Sequence, residues 1–188
     1  MNEDAYFYGL RTVARKRTMD ALNRRTQVDG GAADWNGTTL SSITEDAIEA
    51  AETEWKTHYS ELTYAGFDKA WSSIWYHTSL QPSNFNLAIW QRIEGRDILQ
   101  GLAAGTTSDG KKHLTINWIE RNFSPEYGRF GILLPVLNCI EEYAALVGCE
   151  RVLIKNPVDP SKYEKYGYKS YNIRKSISDF YCKEIPNG

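Results

Sequence analysis

Between residues 84 and 155 the hydrophobic period of this chain changes twice, which restricts its fold more than any other feature of the sequence. Asn84 to Arg92, Ile98 to Thr107 and His113 to Asn122 are strand-like runs. Glu94-Gly95-Arg96-Asp97 and Ser108-Asp109-Gly110-Lys111 separate them, and Asp-Gly is a strong hairpin signal. Three strands joined by tight turns form an antiparallel meander. The period then becomes helical. Over 131–147, Ile132, Val136, Leu137, Ile140, Ala144 and Val147 fall on one stripe, and Gly148 stops the helix. Pro135 is tolerable because it lies near the first turn, where backbone donors lack intrahelical partners. Arg151 to Lys155 follows as a short buried strand. The strand–helix–strand unit is long enough for a right-handed crossover, so its two strands are expected to pair in parallel. The expected fold is α/β (α+β): a mixed sheet with an antiparallel meander, a central parallel pair and flanking helices.

The flanks supply the remaining elements. Residues 4–26 read as an amphipathic helix with Phe7, Leu10 and Ala14 on its apolar stripe. Arg11, Arg15, Lys16, Arg17, Arg24 and Arg25 supply its charge, either as a solvated face or as a handle for nucleic acid. Asp29-Gly30-Gly31 through Asn36-Gly37 is a loop, and Thr38 to Leu40 a short strand. Ser42-Ile43-Thr44-Glu45 has the spacing of a capping box, opening a helix with Ile48, Ala51 and Trp55 on one side. A second helix over 67–78 groups Phe67, Ala70, Trp71 and Ile74, closed by Pro82 and Ser83. After 155, Tyr163 to Gly167 belongs to a short helix, and at least one terminal strand follows.

Composition excludes several classes. With 188 residues, 41% hydrophobic and 13% aromatic, the chain can build one real core and is not disordered. A net charge of −2 gives no global field for nucleic acid or anionic membrane. No apolar run approaches the roughly 18 residues of a membrane span, and the N-terminus lacks the apolar core of a secretory signal, while Glu3 and Asp4 oppose a transit peptide. Cys139, Cys149 and Cys182 lack paired spacing, which suits reduced thiols and a cytoplasmic location. His58, His77 and His113 have no partner at metal-ligand spacing, and no Walker loop or Ser-His-Asp grouping appears.

Three segments carry a resemblance. Within Arg151 to Tyr168, Asn156 ends a strand, Tyr163 stands seven residues later, and Gly167 with Tyr168 follows at four and five more. Ser124 to Leu137 is a glycine-containing loop leading into a helix N-terminus, where free N–H groups and the helix dipole attract anions. Glu120 lies late in the strand His113 to Asn122. From about Leu40 to Tyr171 this order resembles the GNAT superfamily of acyl-CoA N-acyltransferases. The resemblance divides the chain into an N-terminal helical extension and loop, 1–37, and a GNAT-like domain, 38–188. It departs from the family in one place. The pattern Gln or Arg, two residues, Gly, one residue, Gly or Ala falls here on Gly128, Gly131 and Leu133, so only Gly131 is kept.

The resemblance implies transfer of an acetyl or similar group from an acyl-CoA co-substrate to an amine-bearing acceptor, without a metal or a membrane partner. It leaves room for a homodimer. Tyr163 would protonate the leaving thiolate, a role that suits a phenol with its high pKa. Glu120 would take the amine's proton directly or through water. Asn156 would contact the pantetheine arm, and backbone N–H groups of Arg129, Phe130, Gly131 and Ile132 would hold the pyrophosphate. Backbone around Ile119, between Trp118 and Glu120, would polarise the thioester carbonyl. Each residue also has a plainer reading. Tyr163 can pack in the core, Asn156 can cap a turn, and Glu120 can pair at the surface with Arg121 or Lys112. Alternation places Glu120 on one face with Leu114, Ile116 and Trp118, unless a bulge alters the facing. Trp55, Tyr59, Tyr64, Trp71, Trp75 and Tyr76 fall where the family builds its acceptor cleft. A binding module without catalysis is the first rival reading, and an enzyme or adaptor acting on nucleic acid through Arg11 to Arg25 is the second.

Overall fold

The computed structural model describes residues 2–28, 35–59, 66–128 and 131–186. The expected loop 29–34, Tyr64 and the cradle residues Arg129 and Phe130 lie outside the described residues. Five α-helices and seven strands follow in the order α1 (Glu3–Val28), β1 (Thr38–Ser41), α2 (Glu45–Thr53), α3 (Trp71–Ser79), β2 (Phe85–Ile93), β3 (Arg96–Thr107), β4 (His113–Arg121), α4 (Leu133–Val147), β5 (Arg151–Lys155), α5 (Pro160–Glu164), β6 (Lys169–Tyr171) and β7 (Phe180–Glu184). A 3-10 turn at Trp55–His58 extends α2.

The strands form one mixed sheet in the order β1-β2-β3-β4-β5-β7-β6. The β2–β3 connection is a two-residue turn whose central residues, Glu94 and Gly95, both have positive φ, 50° and 80°. That geometry matches the twist of the strands it joins. The parallel pair is β4 with β5, from His113–Arg151 to Ile116–Ile154. Beyond Ile116, β4 runs on to Arg121 with β3 as its only strand partner among the described residues, so the sheet opens between β4 and β5.

Side chains above and below the sheet differ in kind. On one face α4 and α1 cover the larger cluster, which includes Phe7, Ala14, Leu114, Ile116, Val136, Ile140 and Tyr143. Arg11 fixes α1 to the chain ahead of β2 by donating to the carbonyls of Pro82 and Asn84, at 2.6 and 2.9 Å. On the other face α2 and α3 cover a cluster holding Trp55, Trp71, Ile74, Leu99 and Leu102.

Several expectations need correcting. Thr44, not Ser42, caps α2, accepting from the Ala47 N–H at 3.3 Å. The Ser42 hydroxyl instead receives a bond from the Arg15 guanidinium, at 2.8 Å. Helix α3 begins at Trp71, so Phe67 and Ala70 lie outside it, although Phe67 packs edge-on against the Trp71 ring. Two of the N-terminal arginines do not face solvent, while Lys16, Arg24 and Arg25 are exposed. Arg11 and Arg15 are tied down inside the protein, Arg15 is buried, and Arg17 pairs with Glu142 at 3.4 Å. Among the described residues no helix is long and apolar enough to cross a membrane. All three cysteines are free and buried.

Candidate active site

The site is organised by one irregularity in β4. Gly105 pairs with Ile116 and Ala104 with Trp118, so Asn117 is an extra residue on β4. A side chain at Gly105 would collide with the Thr115 carbonyl at 2.5 Å, which explains glycine opposite the bulge. A bulge reverses the facing of everything after it. Leu114 and Ile116 therefore point into the α1/α4 cluster, as does Ile119 after the bulge, whereas Trp118 packs with the α2/α3 cluster. Glu120 does not share a face with Leu114 and Ile116, and simple alternation fails at this point.

Glu120 is neither at the surface nor paired with Arg121 or Lys112. It is 4% exposed, lies on the α2/α3 side, and accepts hydrogen bonds from the Tyr59 hydroxyl and the Trp71 indole N–H. Tyr59 follows the 3-10 turn and Trp71 opens α3, so both early helices contribute a donor to one buried carboxylate. Sequence reading placed these aromatics near a cleft without singling out the two that bind Glu120. The signal available was Trp and Tyr themselves, large rings whose polar atom needs a partner when buried.

The residues next along the chain, His58 before Tyr59 and Asn122 after Arg121, line an open cavity of about 620 Å³ formed by the end of α2, its 3-10 extension and the β4–α4 loop. The loop is tightly wound. Asn122 accepts from the Ser124 N–H, Ser124 accepts from Glu126 and Tyr127 N–H groups, and a side chain at Gly128 would meet Asn122 O at 2.4 Å.

The N-terminus of α4 follows the loop. No side chain caps it and no acidic residue stands in its first turn, so the Leu133 and Leu134 N–H groups lack intrahelical partners. Gly131 is exposed, and a Cβ there would meet nothing within 4 Å. Ile132 is buried against Gly101, so its side chain points away from any ligand and only its backbone is offered. Leu133 is half-buried and packs against the larger core cluster, which turns its bulk inward.

The third element is the chain after β5. Asn156 is exposed with φ 48°, and its Oδ1 accepts from the Asp179 N–H at 2.9 Å while its own N–H bonds Asp179 O. That bond ties β5 to the approach to β7. Tyr163 on α5 packs against the larger cluster and stands edge-on to Tyr168, with ring centroids 6.4 Å apart. Burial, reinforced by the nearby Asp159 carboxylate, raises the Tyr163 phenol above its ordinary pKa. Tyr168 is fully buried and donates to Glu141 of α4, which also takes a 2.7 Å bond from Lys183, so the α5 segment is held against the core.

A mixed sheet opening between its parallel strands, with a bulged β4 and an uncapped helix at the end of β4, defines a class. The chain has the fold of the GNAT N-acetyltransferases. It is similar to the ribosomal-protein-S18-alanine N-acetyltransferase of Escherichia coli, with a TM-score of 0.55 at 16% identity over 79% of this chain and 94% of that one. It is similar to yncA of Salmonella typhimurium, solved with its cofactor acetyl-CoA, with a TM-score of 0.55 at 11% identity over 81% and 96%. The aminoglycoside 6'-N-acetyltransferase of Enterococcus faecium gives 0.53 at 14% identity over 78% and 97%. No protein-family model and no curated protein matches the sequence. At such identities the likeness is one of fold, and proteins of this one fold are named for acceptors as different as a ribosomal protein and an aminoglycoside.

Proposed function

We propose that the protein is an N-acyltransferase that moves an acetyl or similar group from an acyl-CoA to an amine. The observation carrying this reading is the buried Glu120 carboxylate, held by Tyr59 and Trp71 beside a cavity, on the strand that parts from β5.

The residues present fit an acyl-CoA. The open space at Gly131 and the first N–H groups of α4, which no side chain of the described residues caps, would hold its pyrophosphate, together with backbone N–H groups of Arg129 and Phe130. The backbone at Ile119, on the stretch of β4 free of β5, would face the thioester, and Asn156 would meet the pantetheine arm through its side-chain amide. When bound, the co-substrate supplies the activated acyl group. Glu120 takes the proton that the acceptor ammonium must lose before its nitrogen has a lone pair for attack. Tyr163, kept protonated by burial, donates a proton to the departing thiolate.

Calorimetric titration with acetyl-CoA tests the reading, with CoA and a non-nucleotide thioester as controls. Micromolar binding that Gly131→Asp abolishes supports it, because a carboxylate in the cradle repels the pyrophosphate. A folded protein that binds neither nucleotide is instead a binding module, the reading favoured by the departures at Gly128 and Leu133.

A further inference from the structure

The cavity of about 620 Å³ has a lining that selects its occupant. His58 precedes Tyr59 and Asn122 lies two residues beyond Glu120, so its walls flank the Tyr59–Glu120 contact. We propose that this cavity receives the acceptor amine, and that the acceptor is a small polyamine carrying at least two ammonium groups. The proposal rests on the acyl-transfer reading and narrows its substrate.

Three features of the wall support a ligand made of donors. Glu54 stands on one wall and Glu126 on the other, both are exposed, and neither forms an ion pair with a described residue. No lysine or arginine is among the described lining residues. Two of the wall hydroxyls have already spent their protons. Thr53 donates to the Glu49 carbonyl and Thr57 to the Glu54 carbonyl, each at 2.7 Å, and the Asn122 amide donates to Leu99 O at 3.0 Å. What the Thr53 and Thr57 hydroxyls still offer is lone pairs. An ammonium brings donors and no acceptor, so it complements such a wall where a neutral or anionic group does not. Beyond the cavity, Glu45, Asp46, Glu49 and Glu52 continue the negative charge along α2, with no Lys or Arg in 45–54. That field draws a polycation toward the site. The volume lies within the usual range for small-molecule sites, roughly 300–1,000 Å³. The two carboxylates stand on different elements of the wall, the end of α2 and the β4–α4 loop, and one ammonium for each is the reason for requiring two.

The test uses the full chain with spermidine as probe and ethanolamine as the one-ammonium control. Spermidine is first titrated calorimetrically in low salt without acyl-CoA. Acetyl transfer from acetyl-CoA to each amine is then measured. Glu54→Gln and Glu126→Gln, both at exposed positions, are each expected to weaken spermidine binding about fivefold, and the double variant about 25-fold. The loss should appear in KM for spermidine and not in kcat, with the ethanolamine KM changed far less. Spermidine that binds no better than ethanolamine, or equally well to the double variant, overturns the inference. Transfer to ethanolamine or to a peptide N-terminus as readily as to spermidine overturns it while leaving the transferase reading intact. Spermidine binding as expected, in a protein that takes no acetyl-CoA, supports the site and sinks the transferase reading alone.

Discussion

The face of the sheet under α1 and α4 and the face under α2 and α3 are filled by the same strands with different chemistry. The first is closed with aliphatic and small side chains around Tyr143 and Tyr168, and its thiols and phenols are held neutral. The second is built from tryptophans and encloses an acidic group, Glu120, that two of its aromatics hold. The extra residue at Asn117 makes the difference possible, since it hands the end of β4 from one face to the other. An aliphatic interior and one that holds a carboxylate can therefore share a strand without sharing a surface.

The largest effect that sharpens this contrast belongs to Glu120. Glu120→Gln keeps the shape of the side chain and removes its proton affinity, so turnover of acetyl-CoA with an amine should fall at least about 100-fold. Its urea midpoint should stay close to that of the parent. Equal losses of stability and turnover would erase the distinction between the faces. The opposite signature is expected from Leu137→Ala, which opens a cavity in the other face. It should cost about 2–5 kcal/mol in urea unfolding while leaving kcat within twofold.

Alkali probes the same face by a different route. Burial pushes the Cys139 thiol up to about 12 and the Cys149 thiol to about 11, and raises the Tyr143 phenol to about 12. The folded protein thus keeps protons that the unfolded chain begins to release near the ordinary thiol value of 9.0. Their contribution is full below about pH 9 and is lost as pH rises toward about 12. Urea midpoints measured at successive pH values should decline over that window, and Cys139→Ala should make the decline shallower. The smallest effect concerns the α2/α3 face. Thr44→Ala removes the cap of α2 and should cost about 1 kcal/mol, read as a small shift in thermal midpoint. An unchanged midpoint would mean that α2 starts elsewhere.

Local pattern was enough to read the meander, the crossover helix and β5, because each depends on periodicity and turn residues within a few positions. Val152, Leu153 and Ile154 are an apolar run that only a buried strand accommodates, and Gly148, with φ 87°, ends α4 where the sequence places the stop. What escaped was set by partners distant in sequence. The facing of Glu120 depends on a bulge opposite Gly105, which alternation along β4 alone cannot register. Ser42 and Thr44 both suit an N-cap, and the choice was made by Arg15 of α1 taking the Ser42 hydroxyl. The charges of Arg11 and Arg15 read as solvent-facing because their acceptors lie in chain segments remote from α1. In the site, Glu120 was legible as a carboxylate late in β4, but its Tyr59 and Trp71 partners come from a different layer of the fold.

The docking of α1 has a consequence for biosynthesis. This helix leaves the ribosome well before α4, yet it rests on α4, and Arg11 bonds the carbonyls just ahead of β2. At the usual rate of about 5–20 residues per second, α4 emerges on the order of ten seconds after α1. Throughout that interval the Phe7 and Ala14 stripe lacks the α4 surface that completes its cover. A contact so remote in sequence forms slowly, since its loop must close before anything is gained. The nascent chain should be most vulnerable to proteases and most dependent on chaperones along α1 until residues 133–147 are free to fold.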